Sequence, residues 1–227
     1  MAPRARLNRD YLHSQLLNKI MYCEWEPGMR IDEAAVAEEF GVSKTPVREA
    51  LFMLARDHFV DIFPQSGTFV AKIDIKRVKD VIYLRNAVEK AVMMEIIGKG
   101  VAIPERIDNS LVLMEFAAKE KNWVDYAKID YDFHRELYRL AGHEDLWDMI
   151  QNYMPHYTRT RFFCETVHDE ADSTIQDHRE YLEALRKPSA AKLKKIIDIH
   201  CDVNLSRAYK QQAFPNYYNF FSNFEYL

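Results

Sequence analysis

Cysteine is scarce in this chain. Cys23, Cys164 and Cys201 are odd in number, far apart, and never form a CxxC pair. That usage argues against a disulfide framework and a thiolate zinc site, and it predicts a reducing, cytoplasmic setting. Glycine and proline are few, six and eight in 227 residues, which leaves no room for a low-complexity or linker-rich architecture. No apolar run approaches the roughly 20 residues that span a bilayer. The start, Met1 to Arg6, lacks the apolar stretch of a secretory signal, so no membrane partner is expected. An excess of positive charge is also missing. Net charge is −4, and residues 1–74 hold nine Lys and Arg against eleven Asp and Glu. Binding to nucleic acid would have to rest on local cations: Arg4, Arg6 and Arg9 in the N-terminal arm, and Lys44 and Arg48 further on.

Helical periodicity and aromatic side chains are what the sequence has in quantity, with thirteen Tyr and thirteen Phe. A first helix is predicted from Asn8 to Cys23, with Leu12, Leu16, Leu17 and Ile20 facing inward. Glu26 to Met29 reads as a turn. A second helix follows from Asp32, its N-cap, to Phe40. Gly41-Val42 breaks it, and Ser43 caps a third helix with Pro46 in its first turn. Two short β-prone runs, Phe59 to Phe63 and Thr68 to Ala71, flank Pro64-Gln65-Ser66-Gly67 as a hairpin. From about Ile75 no strand signal remains. Helices are predicted near 76–98, 104–120, 122–141, 144–165, 172–187 and 189–212, followed by an aromatic tail that should be covered by protein. The expected fold is mainly α: residues 1–74 as a winged helix-turn-helix, and residues 75–227 as an all-helical bundle.

Helix, short turn, helix and hairpin is the order of a DNA-reading head. The second of the two helices must present a polar, cationic N-terminal turn to the major groove, and Ser43-Lys44-Thr45-Pro46-Val47-Arg48 supplies one. Arg48 suits a base edge, above all guanine; Lys44 and Thr45 suit base or phosphate. The hairpin tip at Ser66 and Gly67 would reach the minor groove or the backbone.

In the helical region, three histidines fall on apolar stripes. His134 follows Asp130 by four residues and shares a face with Phe133, Leu137 and Ala141. His178 lies between Ile175 and Leu182; His200 lies between Ile196 and Val203. Asp132 points elsewhere. Buried polar groups need partners, and one divalent ion would satisfy Asp130, His134, His178 and His200 together. Arg85 stands on the inward stripe of Val81, Val88 and Val92. Pairing with Glu89 at i+4 would add only about 0.3–0.5 kcal/mol, so a carboxylate ligand is a better partner for it. Asn204, one turn beyond His200, is a further pocket candidate.

Residues 27–71 resemble the GntR superfamily of transcription regulators. The resemblance rests on Pro27 to Glu33, on Ala37 to Leu51, and on Gly67 to Val70. It implies DNA contacts from Lys44, Thr45, Arg48, Ser66 and Gly67. Lys44 stands where the family usually has Arg, which weakens bidentate guanine readout there. The cation that some members carry early in the second helix falls near Ala34 or Ala35. The helical region resembles the FCD effector domain of the FadR-type subfamily. Its metal-binding members carry Asp-x-x-x-His on one helix, then two histidines 22 residues apart, as His178 and His200 are. The resemblance therefore implies a metal on Asp130, His134, His178 and His200, and it supports Arg85 as an effector contact.

The expected function is a homodimeric repressor of double-stranded operator DNA, controlled by a small carboxylate effector at a divalent ion. Zinc is the leading ion, with nickel or manganese also compatible. A purely structural ion is one alternative. A metalloenzyme is another, and it is weaker because no general base stands beside the four ligands and the DNA-reading head would be unexplained.

Overall fold

A computed structural model of the chain describes residues 9–168, 171–202 and 218–226, without the side chains of 163–168 and 218. These residues form two compact units. One takes those within Met1–Ile75 and Pro215–Glu225; the other takes those within Lys76–Phe214 and Tyr226–Leu227.

The first unit opens with α1 (Arg9–Met21), then β1 (Arg30–Ile31), α2 (Glu33–Glu39), α3 (Lys44–Arg56), β2 (Val60–Phe63) and β3 (Gly67–Val70). Local chemistry sets the helix ends. Asp32 caps α2 by accepting from the Ala34 and Ala35 amides at 2.8 and 3.3 Å. Gly41, at φ 63°, ends it. Its N–H donates to the Glu38 carbonyl and the Val42 N–H to the Ala37 carbonyl, the paired bonds that close a helix and turn the chain. Ser43 precedes α3 in extended conformation, but its side chain makes no capping bond.

Leu12, Leu16 and Ile20 of α1 pack with Val36, Val47, Ala50, Leu51 and Leu54 beneath a sheet that contributes Ile31, Val60 and Val70. That sheet runs β1-β3-β2, antiparallel throughout, with Phe63 opposite Gly67 and Arg30 opposite Phe69. β1 has no counterpart in the sequence reading, because two residues are too short for an alternation to register.

Gly67 holds φ 119°, and a Cβ there would lie 3.1 Å from Arg30 Nε. Gly67→Ala combines backbone strain with a steric contact. It is expected to cost about 1–3 kcal/mol and to lower the melting temperature of this unit. An unchanged thermal melt would show that the hairpin relaxes freely.

Two further strands lie in this unit. β4 (Ile73–Asp74) pairs in parallel with β5 (Phe221–Ser222), Ile73 opposite Phe221. Phe221 is buried. This corrects the expectation of no strand beyond Ile75. Residues 218–225 group with the first unit, where this backbone pairing holds Phe221 and Ser222 beside β4.

The second unit is all helical among its described residues: α4 (Ile75–Lys99), α5 (Asp108–Lys119), α6 (Trp123–Ala141), α7 (Glu144–Gln151), α8 (Met154–His168), α9 (Ala171–Arg186) and α10 (Ala190–Cys201). The single helix predicted at 144–165 is therefore two. Pro155 sits in the first turn of α8, where its missing N–H is harmless, but within a continuous helix it would break a backbone bond. α6 is amphipathic and buries Tyr126, Asp130, Phe133, His134, Leu137, Tyr138 and Ala141. No helix among the described residues is long and apolar enough to cross a membrane.

Candidate DNA interface and metal centre

The expected DNA-reading residues lie where the fold makes them accessible. Lys44, Thr45 and Arg48 are exposed on the first turns of α3, Ser66 is exposed at the hairpin tip, and Gly67 is half-buried behind it. The amides at the start of α3 lack intrahelical partners, and together with the helix dipole they favour phosphate. Arg48 donates through Nε to Glu33 Oε2 at 2.7 Å. Both side chains reach solvent, so the pair holds the guanidinium for at most about 1 kcal/mol, and DNA can take it over. Ala34 and Ala35 are exposed and offer no cation. Arg30 is a cation that the sequence reading left without a role. It is exposed on β1 and lies against Gly67, and only strand pairing brings it to the wing.

The second unit buries a polar cluster. His134 from α6, His178 from α9 and His200 from α10 bring their Nε2 atoms together. His134 is 3.2 Å from His178 and 3.0 Å from His200, and ligand atoms of all three lie within 4.8 Å of one another. Asp130 Oδ1 stands 3.3 Å from His178 Nε2 and 3.9 Å from His134 Nε2. Arg85, from α4, extends into the same cluster. Its Nη2 lies 2.9 Å from His134 Nε2 and 3.1 Å from His200 Nε2. Its Nη1 donates to the Tyr157 hydroxyl at 2.7 Å, and its Nε to Glu89 Oε2 at 2.9 Å. The fold thus brings together Asp130, His134, His178, His200 and Arg85. Asp132 is exposed, and Asn204 lies outside the described residues.

Surrounding side chains orient these groups. Glu89 Oε1 accepts from the Tyr181 hydroxyl at 2.8 Å and lies 3.4 Å from His134 Nδ1. That placement favours the tautomer with the proton on Nδ1 and leaves the Nε2 lone pair directed into the cluster. Arg161 grips both oxygens of Asp130. The Trp147 ring stacks on His134 with centroids 5.7 Å apart, and Phe133 covers His178 at 4.4 Å. Tyr157, Arg161 and Tyr181 are participants that the sequence reading missed. Tyr157 and Arg161 stand at i and i+4 on α8, a spacing that could have marked a polar face, but nothing local shows that the face meets α6.

Electrostatics keep the imidazoles neutral. Burial pushes all three below their ordinary range, with Arg85 adding to the effect at His134 and His200. His178 falls to about 3, through burial, against an opposing pull from Asp130. The contacts from His134 to Glu89 and from His178 to Asp130 are therefore close approaches of neutral imidazoles to carboxylates and not ion pairs. Burial would raise Asp130, but the Arg161 guanidinium outweighs it and holds the carboxyl ionised.

A pH dependence follows for the metal-free protein. Below about pH 6.5 the unfolded chain binds protons at these histidines, while the folded cluster refuses them down to about pH 3 at His178. Stability should be intact above that window and fall as pH falls through it. Thermal melts at pH 7.5, 6 and 5 check this; a flat profile would mean that the imidazoles titrate normally in the fold.

The donor set fits a divalent ion. Two imidazole nitrogens on one ion at about 2.1 Å, with angles between 90° and 109°, are separated by about 3.0–3.4 Å. The separations of 3.0 and 3.2 Å from His134 to His200 and His178 agree with this, as does the 3.3 Å from Asp130 to His178, whereas the 3.9 Å from Asp130 to His134 is wider. Three neutral nitrogens and one ionised oxygen also suit zinc, nickel or manganese.

An exposed recognition helix with its wing, followed along the chain by an all-helical unit around a buried polar centre, is the plan of a two-part DNA-binding regulator. Comparison with known proteins supplies the family. Residues 9–70 match the bacterial regulatory proteins of the gntR family, and residues 80–202 match the FCD domain. The chain belongs to the GntR family of transcription regulators and carries an FCD domain; it is a regulator and not an enzyme. It is 29% identical over 222 residues to an HTH-type transcriptional regulator in an unstable DNA locus of Streptomyces ambofaciens, covering 92% of this chain and 90% of that one. It is 28% identical over 189 residues to the HTH-type transcriptional repressor RspR of Escherichia coli, covering 82% of each. Among solved structures, E. coli McbR/YncC shares the fold with a TM-score of 0.68 at 17% identity, over 90% of this chain and 98% of that one.

Proposed function

We propose that this protein acts as a homodimeric repressor whose operator binding is set by a small carboxylate bound at a divalent metal ion in the FCD domain. The convergence of three Nε2 atoms on one buried point carries this reading. They stand 3.0 and 3.2 Å apart across His134, close enough to share one cation, and Arg85 Nη2 already lies against two of them. Asp130, His134, His178 and His200 would hold the ion, zinc first and nickel or manganese as alternatives. When bound, it supplies a Lewis-acidic anchor for an anion.

Charge counting supports an acid as the signal. The guanidiniums of Arg85 and Arg161 balance the carboxylates of Glu89 and Asp130, and the histidines are neutral. A divalent ion would leave the cluster two charges positive. A small di- or tricarboxylate offsets that excess, and Arg85 is placed to grip one carboxyl group. The relative named a repressor supports repression as the sign. Lys44, Thr45, Arg48, Ser66 and Gly67 are the proposed DNA contacts, with Arg30 added at the wing. A small ligand alters DNA affinity only as far as it prefers one arrangement of the dimer.

Burial of all three histidines, complete at His134 and His178, favours a second reading, a purely structural ion. The two readings part in one experiment. Elemental analysis of the purified protein should find one divalent ion per chain under either. Mass spectrometry of the denatured supernatant should find a stoichiometric small acid only if the ion serves a ligand. An ion with no acid, and no effect of any acid on DNA binding, would leave the structural reading.

A further inference from the structure

We infer that Arg85 and the metal ion are alternative occupants of the same histidine lone pairs, so that Arg85 is an internal placeholder cation whose release makes binding of the acid depend on prior binding of the metal. The inference rests on the metal-centre reading above. Each neutral imidazole has one lone pair free on its unprotonated nitrogen. Arg85 Nη2 carries two N–H groups, and its distances of 2.9 Å to His134 Nε2 and 3.1 Å to His200 Nε2 assign one N–H to each. A metal ion uses those same two lone pairs. Both cannot hold them at once, and two cations in one buried cluster also repel.

The remaining contacts of Arg85 suit an exchange. Nε on Glu89 and Nη1 on Tyr157 do not involve the histidines, so the guanidinium keeps two anchors when Nη2 lets go. Its two Nη2 N–H groups are then unsatisfied in a buried site, which is costly for a charged donor, and a carboxylate oxygen is their natural acceptor. In the metal-free protein those same donors are already engaged. Arg85 thereby keeps the histidines satisfied without metal and withholds its grip from an acid until the metal is present.

The test uses the full-length protein stripped with chelator, and zinc alone as the probe. In nitrogen-edited NMR, the wild-type Arg85 Nη2 protons should be protected in the metal-free form and should lose protection when one equivalent of zinc is added. Arg85→Met combined with Glu89→Gln, which removes a cation and an anion together, should bind zinc at least tenfold tighter by competition with a calibrated chelator. If that pair does not fold, Arg85→Lys serves in its place, because one ammonium lacks the planar fork that engages Glu89, Tyr157 and both histidines together, and it should also bind tighter. Zinc bound by the wild type with Arg85 signals unchanged and variant affinity unaltered would overturn the exchange and leave the metal site standing. No zinc bound by wild type or variant would overturn the metal-centre reading itself.

Discussion

Replacing Arg48 with alanine is expected to remove sequence discrimination while leaving the fold intact. A bidentate base contact is worth about 1–3 kcal/mol, and the proposed homodimer would lose it at both recognition helices. Specific affinity should therefore fall by roughly 30-fold to 10⁴-fold. Arg48 is exposed, and its partner Glu33 is on the neighbouring helix at 2.7 Å, so nothing in the core depends on it. Lys44→Ala is the contrasting variant. If Lys44 meets phosphate, specific and non-specific binding should weaken together, and the salt slope should drop by about one per head. Fluorescence anisotropy on a duplex selected from a random pool, against a scrambled duplex, measures both. An Arg48→Ala protein that keeps its preference for the selected duplex would remove Arg48 from base readout.

Losing the ion should have the largest effect on stability. An ion at a thousand times its Kd stabilises the folded state by about 4 kcal/mol, which for a chain of this size is on the order of 10 °C in melting temperature. His178→Ala should abolish stoichiometric metal by elemental analysis and lower the melting temperature by at least that much, since it also opens a cavity beneath Phe133. Chelation of the wild type should reproduce the part of the loss that belongs to the ion. If chelation left both metal content and melting temperature of the wild type unmoved, the cluster would be a hydrogen-bonded core and no metal centre.

The parts of the fold that could be read from the sequence are those written in local chemistry. Asp32 marks the start of α2 by capping, and Gly41 and Pro46 mark the turn into α3 by φ preference alone. The stripes through His134, His178 and His200 show burial because a helix returns to the same face every three or four residues. What escaped was written in tertiary contact. The parallel pair of Ile73 with Phe221 joins segments far apart in sequence through two residues each, too few for any periodicity. Arg161 reaches Asp130 only because α8 lies beside α6, and Arg30 reaches the wing only through strand pairing. Arg85 could be seen to point inward. That it would meet His134 and His200 could not, because the crossing of α4 with α6 and α10 leaves no local mark.

The central claim is that a small acid at the buried centre sets DNA affinity. Its most direct test is anisotropy of the zinc-loaded wild type on its selected duplex, titrated with mono-, di- and tricarboxylates and repeated with His178→Ala. At least one di- or tricarboxylate should change the Kd for DNA by about 5- to 150-fold, the usual range of coupling between sites, and that change should vanish in His178→Ala. A DNA affinity that no acid alters, in protein holding one ion per chain, would contradict the account.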